Sequence, residues 1–176
     1  ALWNGVDGEE WSVIAGQNSE TLKNSLNALI SCIKDSDDET FKEHITDHLD
    51  VQSALDYFIH QYVICGVDGM AKNMLLATYD GTIWHCGAND MDRSFGIHWE
   101  NGFASPTMDC PDQFEEPYSL LWERLEKLYP QELYERYCEL RRTVYSIPNL
   151  FSKAERMDEW IGSELYAEEE EIWPNQ

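Results

Sequence analysis

The sequence predicts an α+β chain, mostly helical, with one small β-hairpin. Three observations lead there. Apolar residues recur at helical spacing through the first third and the last third of the chain, and two short strand-like runs flank Asp80-Gly81 near the middle. The 176 residues carry 43% hydrophobic and 12% aromatic side chains, which is enough to bury one good core and too apolar for a disordered chain. A single domain is the expectation at this length.

Residues 1–18, punctuated by Trp3, Gly5, Asp7, Gly8, Trp11 and Gly16, read as a connector with at most a short strand over 11–14. From Asn18 or Ser19 a capping-type residue precedes Leu22, Leu26, Leu29, Ile30 and Ile33, which predicts an amphipathic helix to about Lys34. Asp35-Ser36-Asp37-Asp38 breaks that pattern, and Phe41, Ile45 and Leu49 mark a short second helix whose opening acids suit the positive end of its dipole. Asp50 can cap a third helix. There Val51, Ala54, Leu55, Phe58, Ile59, Tyr62 and Val63 form one wide apolar stripe.

A loop over residues 66–72 then leads into Met74-Leu75-Leu76-Ala77-Thr78-Tyr79 and Thr82-Ile83-Trp84-His85-Cys86, joined by Asp80-Gly81. That pair is the signal for a tight two-residue hairpin turn. Residues 98–117, with Gly102, Pro106, Pro111 and Pro117, read as irregular connection. Three further helices follow: Leu121, Leu125 and Leu128 before Pro130; Leu133, Tyr137, Leu140 and Val144 before Pro148; and Ala154, Met157, Ile161 and Leu165 as a last stripe. The acidic run 168–171 suits a solvated helix end. Trp84, Trp99, Trp122 and Trp160 are expected in the core.

Charge narrows the partners. Against 12 Lys and Arg stand 34 Asp and Glu, a formal charge of −22, so the average surface repels nucleic acid and anionic membranes. No apolar run approaches a membrane span, which argues against membrane insertion. Cys32, Cys65, Cys86, Cys110 and Cys138 are scattered and odd in number, without a C-x-x-C pair; buried free thiols are the plain reading. His44 and His48 lie one helical turn apart, but no third ligand has matching spacing, and His60, His85 and His98 suit packing or surface positions.

The residues that could carry chemistry sit on either side of the hairpin. Asp68 and Asn73 have the D-x-x-x-x-N spacing of protein-kinase catalytic loops, in which the Asp accepts the substrate hydroxyl proton and the Asn binds metal. They equally suit a plain Asp-Gly turn with Asn73 bonding backbone at the strand start. Asp90 and Asp92 form a D-x-D, and an extended backbone would point both carboxylates to one face, an arrangement that favours a cation. Asp92 could instead pair with a basic group or cap a turn.

Together these halves resemble the CotH kinase family, the spore-coat kinase-like proteins. The family pattern is an acidic loop ending in Asn, two strands, then an aromatic-D-x-D-x-x-x-G segment. It is matched by residues 68–73 with Met74-Leu75-Leu76, by Tyr79-Asp80-Gly81-Thr82-Ile83-Trp84, and by Asp90-Met91-Asp92-Arg93-Ser94-Phe95-Gly96. Leu49-Asp50-Val51 and Leu55-Asp56-Tyr57 also look like the family. The similarity is firm over about residues 40–102, and the C-terminal helices share its general character.

The resemblance implies a fold like the larger, mostly helical C-lobe of an atypical protein kinase over residues 19–176, with the hairpin carrying the catalytic and metal loops. It implies Asp68 as catalytic base, and Asn73 and Asp90, with Asp92, holding Mg²⁺ on the phosphates of ATP. The reaction implied is transfer of the γ-phosphoryl to Ser or Thr, so the partners are a nucleotide and a protein substrate. The sequence departs from the pattern in having Asn89 where the family has an aromatic. It has no His-Arg before Asp68, and Lys72 sits beside Asn73, where no kinase-type lysine role can be assigned. Nothing before residue 19 would supply a small lobe, so this portion alone is expected to be inactive. Two other classes of function stay open: a non-catalytic module with an assembly partner in a coat, phage-tail or cell-surface structure, and a cation site used only for stability.

Overall fold

The computed structural model describes residues 11–16, 19–70, 73–92, 94–96 and 119–174, with only the backbone at 67 and 68. The element order is α1 (Glu20–Asp35), α2 (Asp38–His44), a 3-10 turn (Ile45–Asp47), α3 (Val51–Ile64), a second 3-10 turn (Val67–Met70), β1 (Met74–Thr78), β2 (Trp84–Ala88), α4 (Leu120–Leu128), α5 (Pro130–Arg142) and α6 (Ile147–Ile172). The mostly helical α+β expectation holds: β1 and β2 form a two-stranded antiparallel sheet. The chain divides into two compact units, Ala1–Leu133 and Tyr134–Gln176.

In the first unit the helix starts follow local chemistry. The side chains of Ser19, Asp37, Asp50 and Ser119 accept from backbone N–H groups in the first turns of α1, α2, α3 and α4. The helices close over one core. Leu26, Leu29, Ile30 and Ile33 of α1 meet Phe41, Ile45, Leu49, Ala54, Leu55, Tyr57 and Phe58, with Trp84 from β2 and Leu121, Trp122 and Leu125 from α4. Fully burying each Leu or Ile contributes about 1.5–3 kcal/mol.

Arg124 closes this core at a place the hydrophobic pattern did not mark. Its guanidinium lies 4.8 Å above the Phe41 ring. It donates to Ile33 O at 2.7 Å and to Ser36 Oγ at 3.1 Å, satisfying the carbonyl end of α1, and it pairs with Asp38 at 3.3 Å.

Several expectations are corrected. The 11–14 segment contains no strand. The second helix stops short of Leu49, because β2 takes the backbone there: Trp84 N–H donates to His48 O and Asp50 N–H to Trp84 O, both at 2.8 Å. The hairpin is also wider than the Asp-Gly signal predicts, since Thr78 pairs with Trp84 and leaves residues 79–83 as a five-residue loop. The Asp80 carboxylate accepts from Thr82 N at 2.8 Å and Ile83 N at 2.9 Å, so those two N–H groups serve the loop and not the ladder. Gly81, at φ +80°, completes it.

In the second unit, α6 is interrupted at Gly162, whose φ of +72° and ψ of 162° are non-helical. The expected apolar stripe of α6 is not buried, and Trp160 is 80% exposed, which corrects its placement in the core. Trp84 and Trp122 are buried as expected. Trp99, His98, Cys110 and the 98–117 connection lie outside the described residues. The four described cysteines are free and half-buried. Among the described residues no helix is long and apolar enough to cross a membrane.

Candidate functional site

The site is built at the two ends of α3. At its N-terminus, Asp50 accepts from Ser53 N at 2.8 Å and lies 3.4 Å from His85 Nδ1. Ser53 Oγ donates to Asp50 O at 2.8 Å and accepts from Cys86 N at 3.2 Å. These bonds fix β2 to the start of the helix. Burial, and then the nearby Asp50 carboxylate, push the Cys86 thiol up to about 12, so it stays protonated at neutral pH.

At the C-terminus of α3, Cys65 adopts the left-handed conformation at φ 57° and turns the chain into the Val67–Met70 turn that carries Asp68. That turn is held by three helix side chains. Tyr57 Oη donates to Gly69 O at 2.7 Å, Trp122 Nε1 donates to Met70 O at 2.9 Å, and the fully buried Gln61 lies beneath Gly66 and Gly69. Tyr57 stacks on Trp122, with ring centroids 5.4 Å apart. Burial and then the neighbouring Cys86 raise the Tyr57 phenol well above its ordinary value, against a smaller opposing effect of Gln61, so it remains a donor.

The segment after β2 returns to the same end. Phe95 N–H donates to Ile64 O, and Ser94 Oγ donates to Met91 O at 2.7 Å. Because Met74 pairs with Ala88, Asn73 and Asp90 both emerge from the open end of the hairpin. Asn73 Nδ2 donates to Asp90 Oδ2 at 3.2 Å. The two sides of the hairpin therefore meet. The route differs: Asp90 has φ 56°, so a left-handed residue and not strand alternation orients the D-x-D carboxylates.

Asp90 and Asp92 are exposed and Asn73 is half-buried. The Asp68 side chain and Lys72 lie outside the described residues. Among the described residues no three His, Cys, Asp or Glu side chains form a metal-holding group. His44 instead contacts Asp47 at 3.2 Å on the surface.

The CotH kinase protein family profile matches residues 2–175, nearly the whole chain. The chain belongs to the CotH kinase family. No curated protein and no solved structure matches it. The family match reaches well beyond the 40–102 stretch on which the resemblance was firm, and takes in α4, α5 and α6. In this family member, sequence reasoning missed Tyr57, Gln61 and Trp122 as supports of the Asp68 turn. A signal for Gln61 was present: it is a polar residue inside the apolar run of α3, four residues after Tyr57 and just ahead of Gly66-x-x-Gly69.

Proposed function

We propose that this CotH kinase family member has the architecture of an atypical kinase large lobe and serves transfer of the γ-phosphoryl group of ATP to a Ser or Thr hydroxyl of a protein. The observation that carries the reading is the contact between Asn73 and Asp90, which joins the two motif halves at one end of the hairpin. Their donor set fits Mg²⁺. Carboxylate and amide oxygens are hard ligands, and Mg²⁺ is usually held by one or two carboxylates together with substrate phosphates and water. Asn73 and Asp90, with Asp92 two residues on, would hold the ion, and a bound ion neutralises charge on the β- and γ-phosphate oxygens.

Asp68 accepts the proton of the attacking hydroxyl. The hydroxyl oxygen bonds to the γ-phosphorus while the bond from that phosphorus to the β–γ bridging oxygen breaks, and ADP leaves with the electron pair. Positioning by α3, α4 and the hairpin supplies the remaining advantage. The acidic surface supports the metal requirement, since a polyanionic nucleotide approaches a chain of charge −22 most readily when divalent ions screen it.

The test is transfer of labelled γ-phosphate to protein Ser or Thr by the full-length protein with Mg²⁺. Asp68→Asn is expected to lower transfer by about 10²–10⁴-fold with the melting temperature unchanged. Transfer unaffected by Asp68→Asn overturns the base assignment. A full-length protein that folds and transfers nothing favours the non-catalytic assembly module.

A further inference from the structure

We infer that Gln61 is a positioning residue that fixes the separation between the turn carrying Asp68 and the segment carrying Asp90; its catalytic meaning rests on the kinase reading above. One side chain touches both segments. On one side, a Cβ added at Gly66 would lie 2.0 Å from Gln61 Oε1 and one at Gly69 would lie 2.4 Å from it, so the turn's backbone rests directly on the carboxamide. On the other side, Gln61 Nε2 donates to Met91 Sδ at 3.6 Å, next to Asp90 in the chain. One helical turn of α3 thus anchors both segments, since Ile64 O accepts from Phe95 N–H.

The carboxamide is an unusual choice for this place. Gln61 is 0% exposed, and its Oε1 is buried without a hydrogen-bond partner. A buried, unpaired carbonyl destabilises a fold, and an apolar side chain of the same length would avoid that loss. What the amide supplies is a flat group thin enough to lie against two glycines, with a donor directed at Met91. Gly66 and Gly69 are glycines for the complementary reason: a side chain at either would push the carboxamide toward Met91 and shift the Asp90 segment.

The experiment follows the methyl resonance of Met91, one of five methionines, in the methyl-labelled full chain, assigned by Met91→Leu. Gly69→Ala is expected to move that resonance when Gln61 is present and to leave it in place in a Gln61→Ala background. A Met91 resonance indifferent to Gly69→Ala overturns the inference. Should Gly69→Ala alone not fold, recovery of folding in the Gly69→Ala/Gln61→Ala double variant gives the same support, and its absence the same contradiction.

Gln61→Met separates positioning from stability, because it keeps the length and removes the unpaired oxygen. Its melting temperature is expected to hold or rise while Mg²⁺ affinity in the presence of ATP falls about tenfold, the scale of a lost outer-shell contact. Unchanged Mg²⁺ affinity in Gln61→Met rules out the positioning role. A wild-type chain without any Mg²⁺-dependent ATP binding removes the kinase reading, and the Met91 resonance then still decides whether Gln61 couples the two segments.

Discussion

Asn73 and Asp90, seventeen positions apart in the chain, meet through a 3.2 Å hydrogen bond from the asparagine amide to the aspartate carboxylate. The ladder register brings the two segments to one end of the hairpin, because Met74 and Ala88 form its last pair. The contact lies at the surface, so its contribution to stability is about 0.5–1 kcal/mol at most. Asn73→Ala and Asp90→Ala should each shift the urea midpoint little while reducing Mg²⁺-dependent nucleotide binding. A loss above about 2 kcal/mol in either variant would assign the pair to the fold and not to a ligand.

The supports of the Asp68 turn behave oppositely. Trp122→Phe keeps most of the buried ring but strands Met70 O, which accepts the indole N–H at 2.9 Å. The expected loss is about 1–3 kcal/mol by urea denaturation. Tyr57→Phe, which strands Gly69 O, should cost a similar amount. Both variants should also slow phosphoryl transfer, because the turn they release is the one that carries Asp68.

Arg124 provides a test of the core that does not involve the site. Arg124→Lys keeps the charge but cannot reach Ile33 O, Ser36 Oγ and Asp38 together, so a destabilisation of about 2–3 kcal/mol is expected. Equal stability of the lysine variant would contradict the role given to the guanidinium fork.

Acid sensitivity follows from Asp80. Its hydrogen bonds from Ile83 N–H and Thr82 N–H hold its carboxyl below the usual range. A depressed carboxyl contributes stability that is present above the unfolded value of about 3.9 and is lost as pH falls through the lower folded value. Asp80→Asn should therefore be less stable than wild type at pH 7, and the difference should close as the pH drops below about 4. Asp37 and Asp38 are lowered too, so the variant keeps part of the acid transition. A stability difference independent of pH would contradict the charge argument.

Native-state alkylation at pH 8 should leave Cys86 unmodified, since its thiol is pushed up to about 12, and unfolding should expose it. Peptide mass spectrometry reads the outcome directly. Rapid labelling of Cys86 in the folded chain would contradict the raised thiol.

Much of this architecture was legible because it rests on short-range rules. Ser19 and Asp50 cap where their side chains predict, and the apolar stripes of α1, α3 and α4 face one core. The order of acidic loop, hairpin and D-x-D was also readable, and it brings Asn73 to Asp90. What the sequence did not reveal depends on long-range partners. Leu49 leaves the helix because β2 claims its neighbours, and Asp80 widens the turn by capturing two N–H groups. Arg124 is a polar residue whose burial becomes evident only when α4 meets α1, and Gln61, though marked by its place in the apolar run of α3, gains its partners only when α3 meets the Asp68 turn.

The most direct test of the central claim is calorimetric titration of ATP into the full-length protein, with Mg²⁺ and again with the metal chelated. Saturable binding that requires Mg²⁺ and is lost in Asp90→Ala at unchanged melting temperature is the expected result. A folded full-length protein that gives no Mg²⁺-dependent heat, or one whose Asp90→Ala variant binds as wild type does, would contradict it.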